Sequence, residues 1–474
     1  MMKIHLVIIS VLCATAVCAQ NQSAEEFYNN GNARVRDQQY ARAIADYTQS
    51  IYLDANYVDA YFNRALAKEQ MKDVRGAIRD YDKVIAKAPS NVAAYNNRGL
   101  LFLELEKYDL AYADFTHAVK EKPSYYQALY NRARLLTKQE KFDSALSDYS
   151  RVVSINPKHA ASYFNRGAIK QLRENYAGAM LDYTKYIDLL PYDVEGYHRR
   201  AGVKIIMKDY EGVVRDCQSI LNITSGDFVA QYNKACANLL LKRYTFADED
   251  FRKAMILNND SRNVFYNRGI SRLYSEEYYK AVSDFTRAIN IKGDDAPAYL
   301  NRGYAYLHIE DTVLAMNDFV KALEINPDML DAHYNQGVVF MQQGEYSEAI
   351  PHFFTVTREL PDDSEALQNL AFVQYNMNNQ QAAIQTYEKL LEVYPENYSI
   401  LYIKAVMQYS REYYNEAIKD FNKLLQHKER AQYYYYRGLS RINISQVEKG
   451  CYDLSKSGEL GMQEAYGKIR KHCN

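Results

Sequence analysis

Small, aromatic and polar positions recur along this chain on a beat of 34 residues. Counting from Ala24, frames begin at 24, 58, 92, 126, 160, 194, 228, 262, 296, 330, 364 and 398; the twelfth is one residue short, and a partial thirteenth starts at Ala431. The eighth residue of a frame is always small, as in Gly99, Ala133, Gly167, Gly269 and Gly303. The twentieth is Ala everywhere except Val213, and the twenty-fourth is Tyr or Phe everywhere except Cys217. Positions 1–14 and 15–30 each carry helical spacing, which predicts two helices joined by a short turn. Such helices approach closely only where side chains vanish, so the small residue at eight should face the one at twenty, with the ring at twenty-four filling the space alongside. Pro at thirty-two (Pro89, Pro123, Pro157, Pro191, Pro327, Pro361, Pro395) stops the second helix. A single pair cannot bury its own apolar face; stacking the copies completes a continuous core.

Small-8, aromatic-17 (Tyr40, Tyr108, Tyr176, Tyr244, Tyr278, Tyr346, Tyr414), Ala-20, aromatic-24 and Pro-32 at this period resemble the tetratricopeptide repeat family over roughly residues 24–450. The pattern departs from the family where Trp at four gives way mostly to Tyr, Phe or Leu, and where Leu at seven is mostly Arg or Lys. The resemblance implies an all-α, right-handed superhelical solenoid of about twelve to thirteen 34-residue hairpins, with first helices lining a concave surface. Twelve units would occupy 24–430, and 431–474 would hold a partial thirteenth and a C-terminal capping hairpin. In that cap a helix from about Cys451 stops at Gly461 and a second runs from Gln463. Folding at Gly461 brings Cys451 and Cys473 to one end, where an oxidising compartment would join them. The cap resembles the ends of exported repeat proteins from Bacteroidota-like bacteria. Cys217 takes a core-ring position, so it and Cys236 are expected to stay as thiols.

Position seven carries Arg98, Arg132, Arg166, Arg268 and Arg302, and position twenty-three carries Asp114, Asp148, Asp182, Asp284 and Asp318. Both columns lose their charges together in frames ten and eleven, at Gln336 with His352 and Leu370 with Thr386. In an antiparallel hairpin the two positions stand opposite each other, which predicts a structural ladder of ion pairs. Matching acids argue against a basic stripe for anionic ligands.

Asn recurs at position six (Asn63, Asn97, Asn131, Asn165, Asn233, Asn267, Asn301, Asn335), often after an aromatic residue such as Tyr130, Phe164, Tyr232, Tyr266 or Tyr334. In related repeats Asn at this point of the groove hydrogen-bonds a bound peptide's backbone, so the resemblance implies a protein or peptide ligand. The other reading is that Asn ties one helix to the next and Tyr packs between hairpins. Position five has no Lys and position two is often acidic (Glu25, Asp59, Glu195, Asp331, Glu365), which rules out the family's clamp for a chaperone tail.

Residues 1–19 run from Lys3 through an apolar stretch to small residues, the layout of a secretory signal peptide cleaved before Gln20, with 20–23 a short lead. Val17 and Thr15 disfavour acylation at Cys18. No later stretch is apolar enough to span a bilayer. The expectation is an exported protein, periplasmic, outer-membrane-associated or secreted. A net charge of −1 offers nucleic acid no global attraction. No phosphate-binding loop, nucleophile elbow or HExxH motif occurs, no Cys or His falls at zinc-ligand spacing, and no cofactor is expected. The residues point to a non-enzymatic scaffold for protein or peptide partners. The alternative is a cell-envelope glycan-binding or assembly factor that stacks tyrosines on sugar faces.

Overall fold

The computed structural model describes residues 23–473. The expected signal peptide, most of the lead, and Asn474 lie outside the described residues. The described residues form 27 α-helices and no strand. They divide into two compact units, one ending at Asn233 and the other running from Lys234. Within each, consecutive helices pack side by side as antiparallel hairpins.

The third repeat shows how a hairpin is made. Its first helix is Val92–Glu104 and its second Tyr108–Glu121. The turn is therefore wider than the expected break near position 14 or 15, because helix one ends in its own stop signal. Glu106 turns left-handed, at φ 56°. Its N–H reaches the Leu103 carbonyl at 3.1 Å, and the Lys107 N–H reaches Phe102 at 2.8 Å. Those paired bonds are a Schellman motif, which satisfies carbonyls that the helix end would leave bare. The same left-handed residue recurs at Gln38, Glu140, Glu174 and Lys208, and repeat ten supplies Gly344.

The small residue at eight lies under the ring at twenty-four. A Cβ added to Gly99 would stand 2.7 Å from Phe115 Cε1, and one added to Gly303 the same distance from Phe319 Cε1. Ala at twenty is fully buried in repeat after repeat, for example Ala111, Ala145, Ala281 and Ala315. Each ring also reaches the following hairpin, as Phe319 does in packing with Val339.

At the C-terminal end, Ala431–Asn443 and Val447–Glu459 form a hairpin, and Gln463–His472 folds back on the second of these. The helix expected from about Cys451 thus starts four residues earlier and serves both the thirteenth repeat and the cap. Leu439, Leu454 and Ala465 are buried between these helices, with Ile469 against them. Cys451 and Cys473 are joined as a disulfide, with Cα atoms 5.7 Å apart. Cys217 and Cys236 are thiols. The bridge closes a loop with a sequence separation of 22. Cys451→Ser is expected to cost about 2–4 kcal/mol, mainly by freeing the unfolded end. Hydrogen exchange should accelerate across 447–472 and stay unchanged in Tyr414–His427; unchanged protection of the last helix would refute this.

Candidate binding surface

Each ladder arginine grips the aspartate of its own hairpin with two N–H groups. Arg98 donates from Nε and Nη2 to Asp114 at 2.9 and 2.7 Å, and Arg132 to Asp148 at 2.7 and 2.8 Å. Arg166 holds Asp182 at 2.9 and 2.6 Å, Arg268 holds Asp284 at 2.9 and 2.5 Å, and Arg302 holds Asp318 at 2.7 Å twice. All five carboxylates are buried. Burial pushes the Asp114 and Asp284 carboxyls above the ordinary carboxylate value, while Arg98 and Arg268 pull them back. The two-pronged fit uses the planar fork of Arg, which Lys cannot copy.

The guanidinium also does something the two columns did not reveal. In most rungs its remaining Nη1 donates to position twenty-five of the preceding hairpin: Arg64 to Thr48 at 3.0 Å, Arg98 to Asp82 at 2.6 Å, Arg166 to Ser150 at 3.1 Å, Arg302 to Thr286 at 3.0 Å; Arg268, preceded by Arg252, has no acceptor there. One side chain therefore ties two hairpins together. A signal for this was present, since Val320 and Phe354 occupy position twenty-five directly before Gln336 and Leu370. Some aspartates gain a second cation from position eleven, Lys170 on Asp182 at 2.8 Å and Arg272 on Asp284 at 2.9 Å. The thirteenth hairpin carries a further rung, Arg437 with Asp453 at 2.7 Å.

The asparagine row runs along the first helices and spends its N–H groups inside the protein. Asn63, Asn165 and Asn301 donate to the phenol oxygens of Tyr28, Tyr130 and Tyr266, one repeat back, at 3.0, 3.4 and 3.2 Å. Where the preceding repeat has Phe62, Asn97 turns to Tyr81 at 3.2 Å; where it has Leu300, Asn335 falls back on the Asp331 carbonyl at 2.8 Å. Asn131 donates to Asn96 at 2.8 Å and is itself buried, so a ligand cannot reach it. Asn267 reaches the Cys236 sulfur at 3.7 Å, and Asn233 is half-buried. The rings before them pack edge-on to the core ring of their own hairpin: Tyr130 on Tyr149, Phe164 on Tyr183, Tyr266 on Phe285 and Tyr334 on Phe353, with centroids 6.0, 5.9, 5.8 and 6.0 Å apart. Tyr232 stacks on Phe228. These amides and phenols form the floor of the first-helix surface rather than loose arms above it.

Tetratricopeptide-repeat family models match residues 126–159, 296–329, 340–407, and both 63–126 and 315–364. The first two spans are the fourth and ninth frames of the 34-residue beat. The chain is a tetratricopeptide-repeat protein. No curated protein matches it. Similar solved structures include a MamA protein, 22% identical over 36% of this chain and 92% of that one, with a TM-score of 0.35. MamA from Desulfovibrio magneticus is 18% identical over 36% of this chain and 96% of its own, at 0.35. A tetratricopeptide repeat protein from Parabacteroides merdae is 20% identical over 55% and 99%, also at 0.35. None of these bears on the chemistry of the surface. Among the described residues no helix is long and apolar enough to cross a membrane, and no group of three or more His, Cys, Asp or Glu is placed to hold a metal ion.

In this tetratricopeptide-repeat protein the ladder breaks at repeat ten, where His352 replaces the aspartate. His333 Nε2 lies 3.0 Å from the Pro327 carbonyl, and its Nδ1 lies 3.0 Å from His352 Nδ1. A carbonyl only accepts, so His333 carries its proton on Nε2 and accepts from His352 at Nδ1. Burial, and then His333, pushes His352 down to about 4. The unfolded chain takes up this proton at the ordinary value of 6.5. The stability is therefore complete above that pH and drains away as pH falls toward 4. For a ring partly open to solvent we expect a loss on the order of 1 kcal/mol. Urea unfolding at pH 7.5 and 4.5 should show it, and His352→Asn should remove that part of the difference; an unchanged difference would reject the assignment.

Proposed function

We propose that the chain is an exported, non-enzymatic scaffold that holds protein or peptide partners along the surface of its first helices. The observation that carries this reading is the regular amide and phenol floor on those helices, with single side chains such as Leu172 standing out of it at 65% exposure. A preformed surface of this kind binds through many modest contacts rather than one deep reactive site. The Cys451–Cys473 bridge supports an oxidising compartment, periplasmic or outer-membrane-associated.

The test is site-specific photocrosslinking in intact cells. A photoreactive residue at Leu172, on a first helix, should capture discrete protein partners. One at Leu181, equally open on a second helix, should not. Equal capture at both positions would refute the surface assignment. Adducts to envelope polysaccharide alone, abolished by Tyr130→Ala with Phe164→Ala, would favour glycan binding instead.

A further inference from the structure

The first unit contains a cavity of about 520 Å³ where repeats three, four and five meet on the first-helix side. Its walls include Leu103, Phe142, Ile169 and Leu172, and its rim carries Arg134 and Lys138. Leu103 and Phe142 are half-buried, Ile169 is buried and Leu172 is open, so the walls grade from core to solvent as a receptive slot does.

The two cations are unlike the ladder cations. Arg132, two residues before Arg134 on the same helix, is locked to Asp148. Among the described residues no carboxylate pairs with Arg134 or Lys138, whose ammonium is held by the Tyr108 phenol instead. Arg134 lies 5.8 Å over the Tyr130 ring, and Lys138 lies 5.0 Å over Tyr108. They stand four residues apart on Tyr126–Lys138, one above the other on one face. Like charges at that spacing repel and weaken a helix. Lys138 eases part of this by lying at the helix C-terminus, but Arg134 has no such offset. An apolar slot rimmed by two positive charges that no carboxylate pairs is complementary to an apolar side chain with a negative charge beside it.

We infer that this slot takes one bulky apolar side chain of a partner segment while Arg134 and Lys138 pair with the side-chain carboxylate of an adjacent Asp or Glu. The partner is thus an acidic-apolar stretch within a protein chain. Asn165, whose side-chain N–H is given to the Tyr130 phenol, also lines the slot. This rests on the scaffold reading above and narrows it to a chemical class.

The experiment selects from a random dodecapeptide library displayed at the N-terminus of a phage coat protein, which presents no free C-terminal carboxylate, against the purified full chain. Enriched sequences should place Asp or Glu beside Leu, Ile, Met or Phe, and an amidated, fluorescein-labelled consensus peptide should bind in solution. Arg134→Glu with Lys138→Glu should weaken that peptide about tenfold or more. The partner peptide with Lys in place of its acid should then recover affinity for the doubly reversed chain alone. Both side chains are exposed, and circular dichroism of the variant, with Arg134→Gln and Lys138→Gln as a milder pair, checks that the fold is kept. If enriched peptides bind the reversed chain undiminished, or bind only with a free C-terminal carboxylate, this inference falls and the scaffold reading stands. If no peptide is enriched over an uncoated surface, the scaffold reading itself falls and takes this with it.

Discussion

Arg132→Met is expected to destabilise the fourth hairpin by about 3–5 kcal/mol, the cost of stranding a buried carboxylate. Asp148 is only 4% exposed and takes both of its strong hydrogen bonds from Arg132. Position eleven of that repeat is the buried Leu136, so no second cation can step in. The same change one repeat later should cost less. Arg166→Met leaves Asp182 with Lys170 at 2.8 Å, so about 1–3 kcal/mol is expected there, for a lost pair of hydrogen bonds. The Nη1 bonds to Thr116 and Ser150 are lost equally in both variants and cancel in the comparison. Adding Asp148→Leu to Arg132→Met should restore much of the loss, because an apolar pair of similar volume often matches a buried ion pair. Repeat eleven already lives without the ion pair, with Leu370 buried at position seven and Thr386 bonded to Gln374 at 2.8 Å. Urea unfolding, with hydrogen exchange on Phe142–Ile155 and Tyr176–Leu189, separates the two hairpins. Equal costs for both arginine variants would mean that position eleven lends no support.

Phe319→Ala is the second large effect, at about 3–5 kcal/mol. The ring is fully buried among Ala315 and Val339, with Leu300, Leu307 and Met316 around it, so its removal opens a cavity shared by two repeats. A diagnostic follows from Gly303. In the native chain Gly303→Val drives a side chain into Phe319, whose Cε1 stands 2.7 Å from where a Cβ would sit, and should destabilise by about 1–3 kcal/mol. In the Phe319→Ala background the clash with the ring is gone, only the Ala315 carbonyl stays close at 3.1 Å from the Cβ, and the same valine should cost much less. That dependence distinguishes a packing partnership from two independent losses. Simple additivity in thermal unfolding would show that Gly303 and the ring are not in contact.

The structural ladder and the small-residue seam explain why this array tolerates a charged residue where related repeats carry leucine. Arg at position seven fills the space with its aliphatic stem, satisfies a buried carboxylate within the hairpin, and passes one more donor to the hairpin before. Ile or Leu could pack but could not bridge. Where repeats ten and eleven lack the bridge, charge is lost from all three positions at once, as in Phe354, Leu370 and Thr386.

Much of this was legible in the residues alone. The period, the small position eight and the ring at twenty-four determined the hairpin and its register, because contacts inside one antiparallel pair follow from helical spacing. The pairing of Arg98 with Asp114 or Arg302 with Asp318 could be read for the same reason: both partners sit in one short hairpin. What only the tertiary structure decided lies between hairpins and at helix ends. The Nη1 bond to Thr48 or Ser150, the asparagine donors reaching a phenol one repeat back, and the slot under Arg134 and Lys138 all depend on the offset between stacked pairs. A period records that copies are alike, not how far each is turned on the last. The left-handed residue at Glu106 or Glu140 was likewise hidden, since glycine, the usual sign of that backbone, is absent there and the surrounding packing holds the conformation instead.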